Sequence, residues 1–176
     1  MIALALSVIL AAAPAAAPDT NRNAIVQAVR RHSGASTRVD HVIMHGNYAL
    51  AAVNAGAGSV FDGLRFSGNG WRVSCTVKSE PLPTQLKSMC GFPQAIAIQI
   101  SADEGTQAAV ARGDFGMATI AQVRAYNFSV KGPDRDQERA RVQLLHQLSE
   151  QMRNGTITRA QAIARWNQST YSWMLP

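Results

Sequence analysis

The sequence is poor in the residues that ordinarily announce a function. Cys75 and Cys90 are its only two cysteines. Their spacing excludes a CxxC redox pair, and two thiols without a nearby histidine make a weak metal site. No zinc signature, phosphate-cradling glycine loop or serine nucleophile elbow is present. No cofactor motif is found, and no cofactor is expected. Charged residues make up only 16% of the chain and never form a block of about five or six of one sign. That excludes a polybasic tail, and the net charge of +6 reads as solubility plus attraction to anionic surfaces. Apolar runs are short as well. None reaches the roughly 20 residues that span a bilayer, so no transmembrane segment is expected.

What the chain does have, at its start, is an export signal. Met1 to Ala17 carries no charged side chain, and Ile2, Leu4, Leu6, Val8, Ile9 and Leu10 form a short apolar core. Ala15-Ala16-Ala17 puts small residues at the −3 and −1 positions, and Pro18 opens a polar segment. Cleavage is expected near Ala17, giving a single mature domain over residues 18–176. No Cys follows the small residues, so no lipid anchor is expected. Alanine richness and 14 Arg against 3 Lys suggest a high-GC bacterium, hence a periplasmic or secreted protein. In that oxidising compartment Cys75 and Cys90 are expected to form a disulfide, stabilising by about 3 kcal/mol on loop-closure entropy. The compartment also removes nucleic acid from the expected partners. An envelope protein or anionic envelope component remains.

Periodicity gives the architecture. Asp19 to His32 reads as an amphipathic helix, with Asp19, Thr20 and Asn21 as capping residues, Ile25, Val26 and Val29 on one face, and Gly34 at its end. Val39, His41, Ile43 and His45 then alternate with Asp40, Val42 and Met44. Runs over Tyr48–Val53, Val60–Phe66 and Trp71–Lys78 follow, separated by Gly- and Asn-rich clusters, so Gly56, Gly58, Gly63, Gly68 and Gly70 read as hairpin turns. The fold class is α+β: an N-terminal helix on a four-stranded antiparallel meander over residues 18–93. A helical extension follows over residues 94–176. Within it, Pro93 marks a helix start, Gly105 a weak point and Gly113 an end. Met117–Tyr126 continues the helical pattern. Asp134–Arg153 and a helix capped by Thr158 form a terminal helical hairpin.

Chemistry-bearing candidates are few. His41-Val42-Ile43-Met44-His45 offers copper-type ligands. On one strand, however, His41 and His45 stand about 13 Å apart and Met44 points to the other face. A site there would need partners such as His32 or His146. Asp40, Asp62, Asp103, Glu104 and Asp114 could pair with His41 or His45 in a pocket, although Asp103-Glu104 reads more simply as a solvated turn. Trp71 reads as an edge-of-core aromatic packed on the first helix. Trp166, Tyr171, Trp173 and Met174 either dock on their own domain or offer aromatic anchors to a partner.

Gly46-Asn47-Tyr48-Ala49-Leu50-Ala51, Gly63-Leu64-Arg65-Phe66 and Gly70-Trp71-Arg72-Val73 follow one another after the first helix. In that order they resemble small exported bacterial proteins of cystatin-like or NTF2-like layout, over roughly residues 24–93. Some of these are accessory proteins of copper uptake, and Cys75 with Gly91-Phe92-Pro93 is similar to that group. No catalytic residue carries over. The expected function is therefore a non-enzymatic periplasmic binding protein, an inhibitor or immunity protein being one form, acting by surface complementarity. A copper-handling accessory protein and a small NTF2-like enzyme are the alternatives.

Overall fold

The structure, a computed structural model, describes residues 18–54, 59–129 and 133–173. The export segment 1–17, the expected turn glycines Gly56 and Gly58, and Met174 lie outside these. Among the described residues the order is α1 (Pro18–Ser33), β1 (Arg38–His45), β2 (Tyr48–Asn54), β3 (Ser59–Ser67), β4 (Gly70–Val77), α2 (Pro83–Ser88), α3 (Gln94–Ala111), α4 (Phe115–Phe128), α5 (Pro133–Arg153) and α6 (Arg159–Gln168). The fold is α+β, and the four strands form an antiparallel meander in the order β1-β2-β3-β4. Helix α1 already runs through Asp19–Asn21 rather than starting after them.

Both faces of the sheet are apolar, so both must be covered. Helix α1 packs Ile25, Ala28 and Val29 on one face, against Val42, Ala49, Ala51, Leu64 and Trp71. Trp71 is buried there, as expected of a core-edge aromatic. The other face, with Ile43, Leu50, Ala52 and Phe61, meets Ala97, Ile100 and Val110 of α3. The extension therefore completes the core. Helix α3 is enclosed on nearly every side, by the sheet in front and by α4 behind. A helix buried all round carries no apolar stripe, and its periodicity is correspondingly faint. Gly105 does not interrupt it: the helix runs on through the glycine, where an added Cβ would lie 3.8 Å from the Ala121 Cβ on α4.

The β1 edge has one irregularity with consequences. A bulge between Val39 and His41 breaks the alternation. Val39 joins Val42 and Met44 on the α1 face, instead of sharing a face with the histidines. His41, Ile43 and His45 then face α3. The β1 edge is partly closed by the chain's own end, since the Val42 amide donates to the Trp173 carbonyl at 3.1 Å.

The Cys75–Cys90 disulfide forms, tying β4 to the segment between α2 and α3. It lies against Gly63, which is a mid-strand residue of β3 and not a hairpin turn. A Cβ on Gly63 would stand 2.6 Å from the Cys75 Sγ and 2.9 Å from the Cys90 Sγ. Only glycine leaves room for the bridge on that strand. Gly63→Ala is therefore expected to cost about 1–3 kcal/mol by overpacking, and reducing the wild-type bridge about 3 kcal/mol. Guanidinium unfolding with and without reductant measures both. An alanine variant as stable as wild type would contradict the placement.

Candidate functional site

The polar chemistry of this protein is concentrated where β1 crosses α3. His41 and His45 project from β1 toward α3, which presents Asp103 and Glu104 at consecutive positions. His41 Nε2 lies 2.6 Å from Glu104 Oε2, and His45 Nε2 lies 2.6 Å from Asp103 Oδ2. All four residues are buried, Asp103 at 0% and Glu104 at 4% exposure. Their reading as a solvated turn is overturned. The enclosure of α3 puts both carboxylates inside, and buried carboxylates require partners.

The two pairs have different surroundings. The His45 pair is closed off. Glu138 of α5 brings its Oε1 to 3.9 Å from His45 Nε2. Gln122 of α4 donates from Nε2 to Asp103 Oδ1 at 3.1 Å and to Glu138 Oε2. Arg141 donates to Glu138 Oε1 at 2.9 Å and to the Tyr171 carbonyl at 3.2 Å. Its guanidinium also lies over the Trp173 ring, 4.6 Å from the centroid. One ligand atom each from His45, Asp103 and Glu138 lies within 4.8 Å of the others, a spacing found for no other such group among the described residues.

Burial opposes a charged His45, but the hydrogen bond and charge of Asp103, aided by Glu138, hold its pKa above the ordinary 6.5. Burial also pushes Glu138 up to about 7, with the Asp103 charge adding to the effect and Arg141 and His45 opposing it.

The His41 pair opens on a cleft of about 640 Å³. Arg38, Asp40, Glu80, Gln107 and Asn167 supply its polar lining, and Phe61, Ala108 and Ile163 are among its apolar wall residues. Arg38 and Asp40 pair at 3.0 Å. The bulge next to His41 turns the end of β1 into this wall.

The other candidates lie elsewhere. Met44 faces α1, so His41, Met44 and His45 do not converge on one ion. Each histidine is instead held by its own carboxylate. His32 and His146 are exposed on α1 and α5, away from both pairs. Asp62 is buried on the α1 face, accepting from Thr76 Oγ1 at 2.7 Å. Asp114 caps α4 by accepting from the Met117 amide at 3.0 Å. Trp166 and Trp173 are interior, packed edge-to-face at 5.9 Å, and are thereby removed as surface anchors. Tyr171 is partly buried beside them. Their apolar area is satisfied within the chain.

Glu138, Gln122 and Arg141 were not legible as site residues. Glu138 reads as a helix-dipole acid, yet its position on α5 turns it inward. One signal did exist, because two histidines on the same face of an apolar strand demand buried polar partners. Comparison with protein-family models, curated proteins and solved structures returns no match.

In metal-free protein, stability is expected to fall as pH rises from about 5 to 8. Glu138, raised in the fold, holds a proton that the unfolded chain releases above its ordinary value of 4.5, and the contribution is gone once pH passes about 7. His45 adds a loss beginning above 6.5 and ending at its raised folded pKa. The slope reaches about 1.4 kcal/mol per pH unit for each proton. Urea unfolding across this range should show it, with Glu138→Gln flattening the curve. A wild-type curve that rises over the same range would contradict the assignment.

Proposed function

We propose that this chain is an exported ligand-binding protein, acting outside the cytoplasm after loss of residues 1–17, with its ligand in the His41–Glu104 cleft. The observation that carries this reading is the 2.6 Å His41–Glu104 bond in the wall of a cleft. A histidine held by a carboxylate in a concavity is the arrangement that acid–base chemistry and oriented polar binding both need. With Nε2–H donated to Glu104, Nδ1 is the ring nitrogen that exchanges a proton with a ligand. Glu104 would stabilise the imidazolium that results.

Charge selects the ligand class. Asp40, Glu80 and Glu104 outnumber the single guanidinium of Arg38, so the cleft is acidic in a chain of net charge +6. It suits a small molecule with an amine or guanidine and an apolar body that lies on Phe61 and Ile163. The resemblance to NTF2-like proteins supports a pocket between sheet and helix.

A second reading, a protein-binding role such as an inhibitor or immunity protein, rests on α4. Met117, Ile120, Val123 and Phe128 are exposed there, Ile120 at 64%. Such a row is what a partner in the envelope would cover.

A thermal-shift screen of small amines, guanidines and their neutral isosteres separates these readings. Amines at about 100 times their Kd should add about 2.7 kcal/mol, a Tm rise of roughly 5–10 °C. Glu80→Gln should weaken them about tenfold, or ~1.4 kcal/mol, while Ile120→Asp leaves them unchanged. No amine-selective shift would remove the cleft reading. Envelope-protein capture that depends on Ile120 would favour the second.

A further inference from the structure

We propose that His45, Asp103 and Glu138 form a closed binding site for one divalent transition-metal ion, zinc by its donor chemistry, with Gln122 completing the set. This site is separate from the cleft and does not depend on the cleft's ligand.

The site is assembled from four elements. β1 supplies the imidazole, α3 and α5 one carboxylate each, and α4 the amide. The candidate ligand atoms lie within 4.8 Å of one another. His45 Nε2 is 2.6 Å from Asp103 Oδ2 and 3.9 Å from Glu138 Oε1. Ligands held about 2.0–2.2 Å from a tetrahedral ion stand roughly 3.3–3.6 Å apart. The first separation must widen and the second narrow, both by less than an ångström or so, which side-chain torsions supply.

Gln122 gives an independent indication of a cation. It is fully buried. Its Nε2 reaches both carboxylates, but its Oε1 has no hydrogen-bond partner. A half-turn of the terminal amide exchanges the two atoms. The oxygen then faces two carboxylates, acceptor against acceptors, which holds only with a cation between them. That turn supplies a fourth donor, the amide oxygen, and moves the amide NH2 to the side where the oxygen had no partner. Without the ion, the amide nitrogen occupies the place where positive charge is needed.

The surroundings fit a resident ion. Arg141 donates to Glu138 while it is itself fixed by the Tyr171 carbonyl and the Trp173 ring, so the carboxylate is oriented from behind. Two buried carboxylates, Asp103 and Glu138, face each other across the Gln122 amide, a pairing that a cation would offset. One imidazole with oxygen donors disfavours Cu(I), which takes soft sulfur, and four donors at tetrahedral spacing favour zinc over the octahedral habit of manganese. Four protein donors leave no open position, so the ion would brace β1, α3, α4 and α5 rather than activate water. Loading places the His45 Nε2 lone pair on the metal, leaving the imidazole proton on Nδ1; the Nε2 proton, and the Glu138 proton where the carboxyl holds one, leave to solvent.

Because the site is buried, the ion should enter during folding. The oxidised protein is unfolded in guanidinium with a chelator, then refolded with Co²⁺ or Zn²⁺. One ion per chain should survive gel filtration, and the cobalt form should show the visible d–d absorption of a tetrahedral site, lost on zinc exchange. His45→Gln and Asp103→Asn should abolish that spectrum, and Gln122→Leu should weaken binding about 10–100-fold. His41→Gln should leave it intact. Native circular dichroism without a retained ion in refolded wild type would overturn the proposal. So would cobalt bound equally by His45→Gln. Should the variants fail to refold, the wild-type stoichiometry and cobalt spectrum decide alone.

Discussion

The constraint on which the rest of this structure depends is the burial of α3 between the sheet and α4. Eleven of its residues are buried, and these include Gln99, Asp103, Glu104, Thr106 and Gln107. An apolar helix would fill that space with less difficulty. A polar one must find a partner for each group, and the fold is arranged around doing so. β1 answers with His41 and His45, α4 with Gln122, and α6 with Trp166, whose Nε1 donates to Gln107. The last described residues close the arrangement. Trp173 lies under the Arg141 guanidinium, and its carbonyl accepts from Val42 on the β1 edge. Removing one charged partner from such a network typically costs about 3–5 kcal/mol, because the other is left buried and alone.

Consecutive residues on α3 thus serve two different environments. Asp103 points into a closed set of polar and charged groups from three other elements. Glu104, one residue on, holds a histidine against a cleft. The β1 bulge next to His41 is what turns that end of the strand toward solvent-accessible space. The same local construction, a strand histidine against a helix carboxylate, therefore occurs once in the closed interior and once in the wall of a cleft. The two are linked through Ile43 and the α3 backbone, so any movement of α3 would be felt by both.

Much of the framework was legible in the sequence. The strands followed from short apolar runs between Gly and Asn clusters, and Thr158 was readable as a cap, its hydroxyl accepting from the Gln161 amide. The disulfide followed from the cysteine count and the expectation of an oxidising compartment. The site itself was obscure for physical reasons. Helix α3 is enclosed on nearly every side, so its acids occupy no polar face and cannot be told from surface acids by period. Gly63 looks like a turn glycine because the bridge that requires it lies on another strand. The terminal tryptophans look like anchors because nothing local shows the interior they fill. The bulge at Asp40 is a backbone event that strict alternation from Val39 to His45 cannot register.

The central claim is that β1 and α3 are joined by two buried histidine–carboxylate bonds, both made through Nε2. Nuclear magnetic resonance of the imidazole nitrogens in metal-free protein tests this directly. The account predicts two low-field, slowly exchanging Nε2–H resonances, assigned to His41 and His45 by single substitutions. The exposed His32 and His146 should give none. Four histidines with rapidly exchanging ring protons, or protected protons on Nδ1 in place of Nε2, would contradict it.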